Sequence, residues 1–327
     1  MDIYHRLSCE EREELSRGLA QGESLRKIAA RLNRQTSTLA RELNRNGGNQ
    51  YRAIMAHRKA VSRGRLRQRE CKLSQNPQLW SFVVSKLRKK WSPVQISQTL
   101  KREYPDEKTM QISHETIYSY LYVLPRGTLK SELLSCLRQA RKHRLKRSKA
   151  DRFFAPKITE MISIEERPAE VADRCIPGHW EGDIILGKQR RSFLGTLVER
   201  TTRTVLLVPL PNKKAPTVRT AFEQEVLRLP KTFRLTLTYD QGTEMAQHKL
   251  FTKNTKVQVY FAHPSSPWER GTNENTNGLI RQFFPKNTDF NTIPRKHVKQ
   301  VQKLLNERPR KVLNWKTPKE ALTELLR

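Results

Sequence analysis

From residue 178 to the end of the chain, apolar residues occur in short runs separated by polar turns, a pattern that favours a sheet over a helical bundle. Three successive runs, GHWEGDIIL, SFLGTLVER and TVLLVPL, predict three strands with short connections. Residues 215–229 then show helical spacing, and FRLTLTYD and VQVYFA predict two more strands. Helices are predicted at 273–284 and 295–307. This order is typical of an α/β domain with a mixed five-stranded sheet, which we place at residues 177–327.

Residues 1–50 have the pattern of a small helical DNA-binding domain. Ser8 and Glu11 form an S-x-x-E capping box before the first helix, and Ser24 and Thr36 can cap two more. Two short helices joined by a turn are typical of a helix-turn-helix domain, whose last helix enters the major groove of DNA. The side chains predicted to face DNA are Ser37, Thr38, Arg41 and Arg45. The alternative is a three-helix bundle that does not bind DNA.

Residues 76–135 repeat this helical pattern and predict a second helix-turn-helix-like domain. A Ser-Pro pair is typical of a helix start, and Ser113 can cap the helix that follows it. In that helix, His114 and Tyr118 are the residues that we expect to face DNA. Alternatively, apolar residues such as Ile117 take most of this helix into a core.

Two basic stretches separate these predicted domains. Residues 51–75 include RKAVSRGRLRQRECK and predict a basic linker, and residues 136–176 include RQARKHRLKRSK and predict a second, irregular one. The whole chain has 64 Lys and Arg against 32 Asp and Glu, a formal net charge of +32. An excess of this size indicates a polyanionic partner. Double-stranded DNA is the expected partner, and an anionic membrane surface is the alternative.

No segment indicates secretion or insertion into a membrane. The first residues are charged throughout, and no stretch approaches the roughly 20 apolar residues of a membrane helix. The four cysteines contain no C-x-x-C pair, so neither a zinc site nor a disulfide framework is expected. We therefore expect a cytoplasmic bacterial protein without a membrane partner.

Three acidic residues occupy matching places in the predicted α/β domain. Asp183 lies inside the first strand, Asp240 ends the fourth, and Glu274 opens the helix after the fifth. If the first and fourth strands are neighbours, the two aspartates lie side by side and need a cation. Mg²⁺ suits carboxylate oxygens, and a pair of such ions can assist an in-line phosphoryl displacement. The alternative is that each acid is an ordinary turn or cap residue.

Two further residues are candidates for the same site. Glu181 shares a strand face with Asp183. It could replace Asp183 as a metal ligand, or it could hold the metal ligands in place without binding metal itself. Arg281 follows Glu274 by two helical turns and could hold a DNA phosphate near the metals. The alternative for Arg281 is a solvated surface arginine.

Long segments of the chain resemble the insertion-sequence-30 family of bacterial transposases. The resemblance is carried by GHWEGD, LVER with TTR, TYDQGTE and SPWERGTNENTNGLIRQFFPK. It continues through NERPRKVLNWKTPKEAL and extends back through WSPVQI and SHETIY, so it covers essentially the whole chain. In that family the third acid follows the second after 33 intervening residues, which is the separation of Asp240 and Glu274.

The resemblance implies a ribonuclease-H-like catalytic domain and a DDE-type, metal-dependent polynucleotidyl transferase. Asp183, Asp240 and Glu274 match the triad of the family that binds metal, with two Mg²⁺ or Mn²⁺ ions during catalysis. Arg281 matches the basic residue that follows the glutamate. The implied activity is binding of the terminal inverted repeats of a mobile element, strand cleavage, and attack of the freed 3′-hydroxyl on target DNA. Because two DNA ends must be held together, a homodimer or larger assembly is expected.

Two other function classes remain open at this point. A transcriptional regulator would use the helix-turn-helix domains without any chemistry, but it would have no reason to place three carboxylates at one metal site. A ribonuclease-H-type nuclease acting on RNA–DNA hybrids would use the carboxylates, but it would not need a front end that reads duplex DNA.

Overall fold

The computed structural model describes residues 6–66, 71–137, 158–264 and 266–326. The chain divides into two compact units, Met1–Gln75 and Asn76–Arg327. We refer to them as the first and second unit. Within the described ranges, no helix is both long enough and apolar enough to cross a membrane.

The first unit is entirely helical in its described part. Its helices are α1 (Cys9–Ala20), α2 (Leu25–Arg31), α3 (Thr36–Arg45), α4 (Ala53–Leu66) and α5 (Lys72–Gln75). The predicted capping box at Ser8 and the cap at Ser24 are both present. The predicted cap at Thr36 is wrong. The helix begins at Thr36 itself, with Gln35 as its N-cap and no capping hydrogen bond from a side chain.

Helix α4 falls in the segment that was predicted to be a linker. Its Ala56 is buried in the same cluster as Leu15 of α1, Ile28 of α2 and Leu39 of α3. The basic composition of residues 51–75 is typical of a linker, but the described Arg58, Lys59 and Arg63 are exposed, whereas Ala53 and Ala56 are buried. Residues 53–66 are therefore part of the packed first unit.

The second unit begins with four helices, α6 (Pro77–Arg88), α7 (Pro93–Glu103), α8 (His114–Val123) and α9 (Thr128–Ser135). Ser92 caps α7 in a capping box with Gln95, and Ser113 caps α8, as predicted. Ile117 and Leu121 of α8 are fully buried, which is expected if this helix packs mainly into a core instead of facing DNA.

These helices pack against the C-terminal segment of the chain. The Gln95 side-chain amide donates to the Pro309 carbonyl at 2.7 Å. Arg102 donates to the Trp315 carbonyl at 3.0 Å and to the Glu320 carboxylate at 2.8 Å. Residues from both ends of the second unit thus share one set of polar contacts.

The segment before the sheet is partly described. Residues 138–157, which include the basic run RQARKHRLKRSK, lie outside the described residues. From 158 onward the chain packs on the α/β domain through Ile158 and Val171, both buried, and contains the short helix α10 (Glu170–Asp173). An isolated parallel bridge joins Ser163 to Phe261.

A mixed sheet of five strands follows. The strands are β1 (His179–Leu186), β2 (Phe193–Glu199), β3 (Val205–Leu210), β4 (Thr236–Tyr239) and β5 (Gln258–Phe261). Their order in the sheet is β3-β2-β1-β4-β5. The first three strands form antiparallel neighbours, whereas β4 runs parallel to both β1 and β5. The predicted mixed five-stranded sheet and the predicted adjacency of β1 and β4 are confirmed.

Helices cover both faces of this sheet. The remaining helices are α11 (Ala215–Leu227), α12 (His248–Thr255), α13 (Gly271–Ile280), α14 (Arg295–Asn306) and α15 (Pro318–Leu325). On one face, Phe222 of α11 and Phe251 of α12 pack into the core with Leu197. On the other face, Ile280 of α13 and Val301 of α14 do so. Because both faces are covered, a charged side chain within the sheet is buried unless it lies at a strand end.

Gly195 provides a test of this packing. A Cβ atom at Gly195 would collide with the ring of Phe222, which is fully buried and cannot retreat. We expect Gly195→Ala to destabilise the second unit by about 1–3 kcal/mol, the usual effect of overpacking a core. The measurement is urea unfolding followed by tryptophan fluorescence, since all five tryptophans lie beyond residue 75. Gly271→Ala is the control, because nothing lies within 4 Å of its added Cβ. Equal midpoints for the two variants would contradict this packing.

Candidate functional site

Strand register brings the two predicted aspartates together. Glu181 of β1 pairs with Thr238 of β4, so two residues further along, Asp183 and Asp240 lie beside each other on the same face. Asp240 directly follows the last residue of β4, at the carboxyl end of parallel strands where ligands commonly bind. The topology therefore places two carboxylates at one point of the sheet edge.

The Asp183 carboxylate is half-buried and held on both oxygens. Oδ1 accepts from the backbone N–H of Ile184 at 2.9 Å, and Oδ2 accepts from the side-chain amide of Asn277 at 2.7 Å. Burial raises the pKa of Asp183, Arg270 opposes this rise, and Asp240 adds to it. A fixed, desolvated carboxylate beside a second carboxylate is a place where a cation is stabilised.

A guanidinium group supplies that positive charge in the structure. Nη2 of Arg270 donates to Oδ2 of Asp240 at 3.1 Å, and Nη1 lies 3.7 Å from Oδ1 of Asp183. Nη1 also donates to the Gly182 carbonyl at 3.0 Å, and the side chain is only 14% exposed. Sequence reasoning missed Arg270. The available signal was its place directly before the helix that carries Glu274.

Glu274 is exposed in the first turn of α13. The helix is joined to β1 through Asn277, which lies one turn after Glu274 and bonds to Asp183. Glu274 itself makes no hydrogen bond or ion pair with any residue that the structure describes. Among those same residues, no three His, Cys, Asp or Glu side chains are close enough together to hold a metal ion. The structure thus brings the two aspartates together and leaves Glu274 nearby but separate.

Glu181 is completely buried and positions α13. Its Oε2 accepts from the backbone N–H of Asn273 at 2.9 Å, and its Oε1 lies 3.5 Å from Nη1 of Arg200. Burial lowers the pKa of Arg200 to about 10, and the charge of Glu181 opposes that fall. Glu181 therefore contacts the residue next to Glu274, which is a supporting position rather than a position among the aspartates.

Arg281 follows the last residue of α13 rather than lying within the helix. Its Nη2 donates to the Leu186 carbonyl at 2.7 Å and its Nη1 to the Pro285 carbonyl at 3.4 Å. Burial lowers the pKa of this guanidinium. In the structure, Arg281 joins the end of α13 to the end of β1.

The predicted DNA-facing residues of the first unit lie on α3. Ser37, Arg41 and Arg45 are exposed, and Thr38 is half-buried. A groove of 690 Å³ runs past this helix, and its lining includes Thr38, Arg41, Arg45, Arg6 and Arg63. Arg12 and Glu42 also line the groove, and they form a largely buried ion pair of 2.7 Å. The groove offers several guanidinium groups at one concave surface.

The predicted DNA-facing residues of the second helical region are less prominent. His114 and Tyr118 are both half-buried, because the neighbouring Ile117 faces the core. Nε2 of His114 lies 3.4 Å from the Glu115 carboxylate, and burial raises the pKa of Tyr118.

Replacing Glu181 or Asp183 of β1 by its neutral amide should change the stability of the second unit in opposite directions. Glu181→Gln leaves the Arg200 charge buried without its counter-ion, so we expect a loss of roughly 3 kcal/mol of stability. Asp183→Asn should instead stabilise the second unit at neutral pH without metal. Because folding raises the pKa of Asp183, the stability that this group contributes is present at acid pH and is lost as pH rises through its folded pKa.

Urea midpoints across pH, measured by tryptophan fluorescence in EDTA, test both effects. The advantage of Asp183→Asn over the wild type should disappear as pH falls and the wild-type carboxyl becomes protonated. A Glu181→Gln variant as stable as the wild type would show that the Arg200 contact contributes nothing.

Two parts of the chain match known domain families. Residues 4–46 match the helix-turn-helix domain family, and residues 173–267 match the integrase core domain family. The second match includes Asp183 and Asp240 and ends before Glu274. A crystal structure of the catalytic core domain of BIV integrase aligns with 45% of this chain and 94% of its own, at 17% identity and a TM-score of 0.35.

Curated relatives match along nearly the whole chain. The transposase for insertion sequence element IS1086 of Cupriavidus metallidurans is 46% identical over 99% of this chain and 96% of its own length. Transposase InsI for insertion sequence element IS30A of Escherichia coli is 42% identical over 97% of this chain and 83% of its own length. The transposase for insertion sequence element IS4351 of Bacteroides fragilis is 34% identical over 93% of this chain and 91% of its own length. The chain belongs to the insertion-sequence-30 family of transposases, with a helix-turn-helix domain ahead of an integrase core domain.

Proposed function

We propose that this transposase binds the terminal inverted repeats of its own mobile element, cleaves one strand and joins the freed 3′-hydroxyl to target DNA. The observation that carries the proposal is the pair of carboxylates on β1 and β4, held by one guanidinium. A pure DNA-binding regulator has no need to keep two acids together at a strand end, because their repulsion costs stability. Phosphoryl transfer does need such a pair.

The donor set fits a divalent metal ion. Asp183 and Asp240 offer carboxylate oxygens, the ligands that Mg²⁺ and Mn²⁺ prefer, and Arg270 already lies where a positive charge is favoured. Two bound ions would supply activation of the attacking oxygen and stabilisation of the leaving 3′-oxygen. We propose that Glu274 completes the ligand set. For this, the Glu274 side chain has to turn towards Asp183. Asn277, which lies one helical turn after Glu274, already contacts Asp183.

The chain's own side chains would orient the reacting groups. Asn277 and the Ile184 N–H fix the rotation of the Asp183 carboxylate, and Glu181 fixes the start of α13 through Asn273. A carboxylate that is fixed before substrate arrives loses little conformational entropy when it binds.

Recognition of the element ends is proposed for the first unit. Its groove along α3 presents Arg41 and Arg45, and arginine is the residue that most often reads guanine in the major groove. We further propose that a homodimer or larger assembly acts on DNA, since two element ends have to be held for joining.

Removing any one acid of the triad should separate binding from chemistry. We expect Asp183→Asn, Asp240→Asn and Glu274→Gln each to abolish cleavage and strand transfer while leaving end binding nearly intact. The measurement is a cleavage and strand-transfer assay on element-end DNA with Mg²⁺ or Mn²⁺, beside a gel-shift assay. Glu244→Gln, another partly buried acid near the strand end, is the control and should stay active. A triad variant that cuts at the normal rate would remove that residue from the site. Preferential cutting of an RNA–DNA hybrid would instead indicate a ribonuclease.

Arg41 should contribute to sequence reading rather than to general attraction. We expect Arg41→Ala to weaken binding to element ends by about 1–3 kcal/mol and binding to random duplex much less. Competition binding with the two duplexes at one salt concentration measures the ratio. Arg17→Ala, on the exposed surface of α1, is the matched control. Equal losses on both duplexes would identify Arg41 as a contact to the phosphate backbone.

A further inference from the structure

A basic cavity lies beside α13, away from the paired aspartates. Its volume is 320 Å³, and its lining includes Arg174, Arg203, Arg310, Thr272, Asn275 and Thr276. Thr272 and Thr276 are four residues apart and so share one face of the helix. Glu274, two residues after Thr272, projects from the opposite side. The cavity is therefore separate from the carboxylate site, although both use the same helix.

The charged residues that line this cavity are all arginines. Arg203 donates from Nη1 to the Thr272 hydroxyl at 2.6 Å, while its Nε is buried and has no hydrogen-bond partner in the described part of the chain. Neither Arg203 nor Arg174 forms an ion pair with any described residue. Burial and the nearby Arg174 both lower the pKa of Arg203, whereas Glu181 and Glu199 oppose them. Like charges gathered without a contacting carboxylate are stabilised by an anion from outside the chain.

The backbone holds both of these arginines in an unfavourable conformation. Arg174 has φ of 56° and Arg203 has φ of 62°, the left-handed region that non-glycine residues rarely adopt. Arg174 directly follows α10, and Arg203 lies in the turn between β2 and β3, so both occupy chain reversals where this conformation occurs. Arg203 contacts the Thr272 hydroxyl of α13, and the exposed Arg174 lines the same cavity.

We propose that this cavity binds a phosphate group of the DNA backbone. Two guanidinium groups and the Thr272 hydroxyl, which accepts from Arg203 and keeps its own hydrogen to donate, form a set that suits phosphate oxygens, which accept charge-assisted hydrogen bonds. Contacts of this kind position DNA without reading its sequence. A phosphate bound here fixes α13 from the side opposite Glu274. The assignment to DNA, rather than to free phosphate, rests on the proposed function.

The test is the salt dependence of DNA binding by the full-length chain. Fluorescence anisotropy with a random-sequence duplex in EDTA, over a series of KCl concentrations, compares the wild type with the double variant Arg174→Gln/Arg203→Gln. Each lost phosphate contact lowers the slope of log affinity against log salt by about 0.9. We therefore expect the slope of the double variant to be lower than that of the wild type by about one. The double variant Arg228→Gln/Lys231→Gln removes the same charge at the end of α11 and should keep the wild-type slope.

Three results decide the matter. A lower slope only in the cavity variant supports the site, and equal slopes in all three proteins overturn it. Calorimetry with inorganic phosphate provides the second arm. If the cavity variant loses phosphate binding but keeps the wild-type DNA slope, the assignment to DNA is overturned.

Should the double variant unfold, the single change Arg174→Gln at an exposed side chain is measured in the same way. Cleavage with Mg²⁺ is not part of this test, so an inactive but DNA-binding wild type would contradict only the proposed function.

Discussion

The parallel pairing of β1 with β4 at the centre of the sheet determines where the proposed chemistry of this transposase lies. Because β4 enters the sheet beside β1 rather than at the outer edge, Asp240 emerges next to Asp183. Two acids in this position would repel each other in the absence of positive charge. Arg270 reaches both, so the sheet keeps its register and its paired acids together.

Helix α13 depends on the same strand. Glu181 binds its first turn, Asn277 binds Asp183, and Arg281 joins its end to the carbonyl of Leu186. The three contacts are spread along the length of β1, so the helix cannot rotate or slide without losing at least one of them. The residues that we propose for catalysis and for DNA contact are thereby carried by a single well-restrained element, which is how precise sites are commonly built.

Much of this arrangement could be predicted from the sequence. The strands were recognisable because their apolar runs are short and bounded by polar turns, and the position of Asp240 followed from the end of such a run. Arg270 was missed because an arginine in a turn has no pattern of its own; its partners are 30 and 87 residues away. Helix α4 was missed because its positive charges outnumber its buried alanines. The assignment of Glu274 as a metal ligand rests on the family resemblance, and the structure leaves that side chain exposed.

Helix α4 also matters for how α3 is held. It completes the core of the first unit from within that unit, so the residues that hold α3 in place all lie before residue 76. Exposed positions on α3 can therefore change from one mobile element to another while the core around Asp183 and Asp240 keeps its packing. With α3 as the proposed reader of the element ends, a new DNA sequence preference would require only a few surface substitutions on this one short helix.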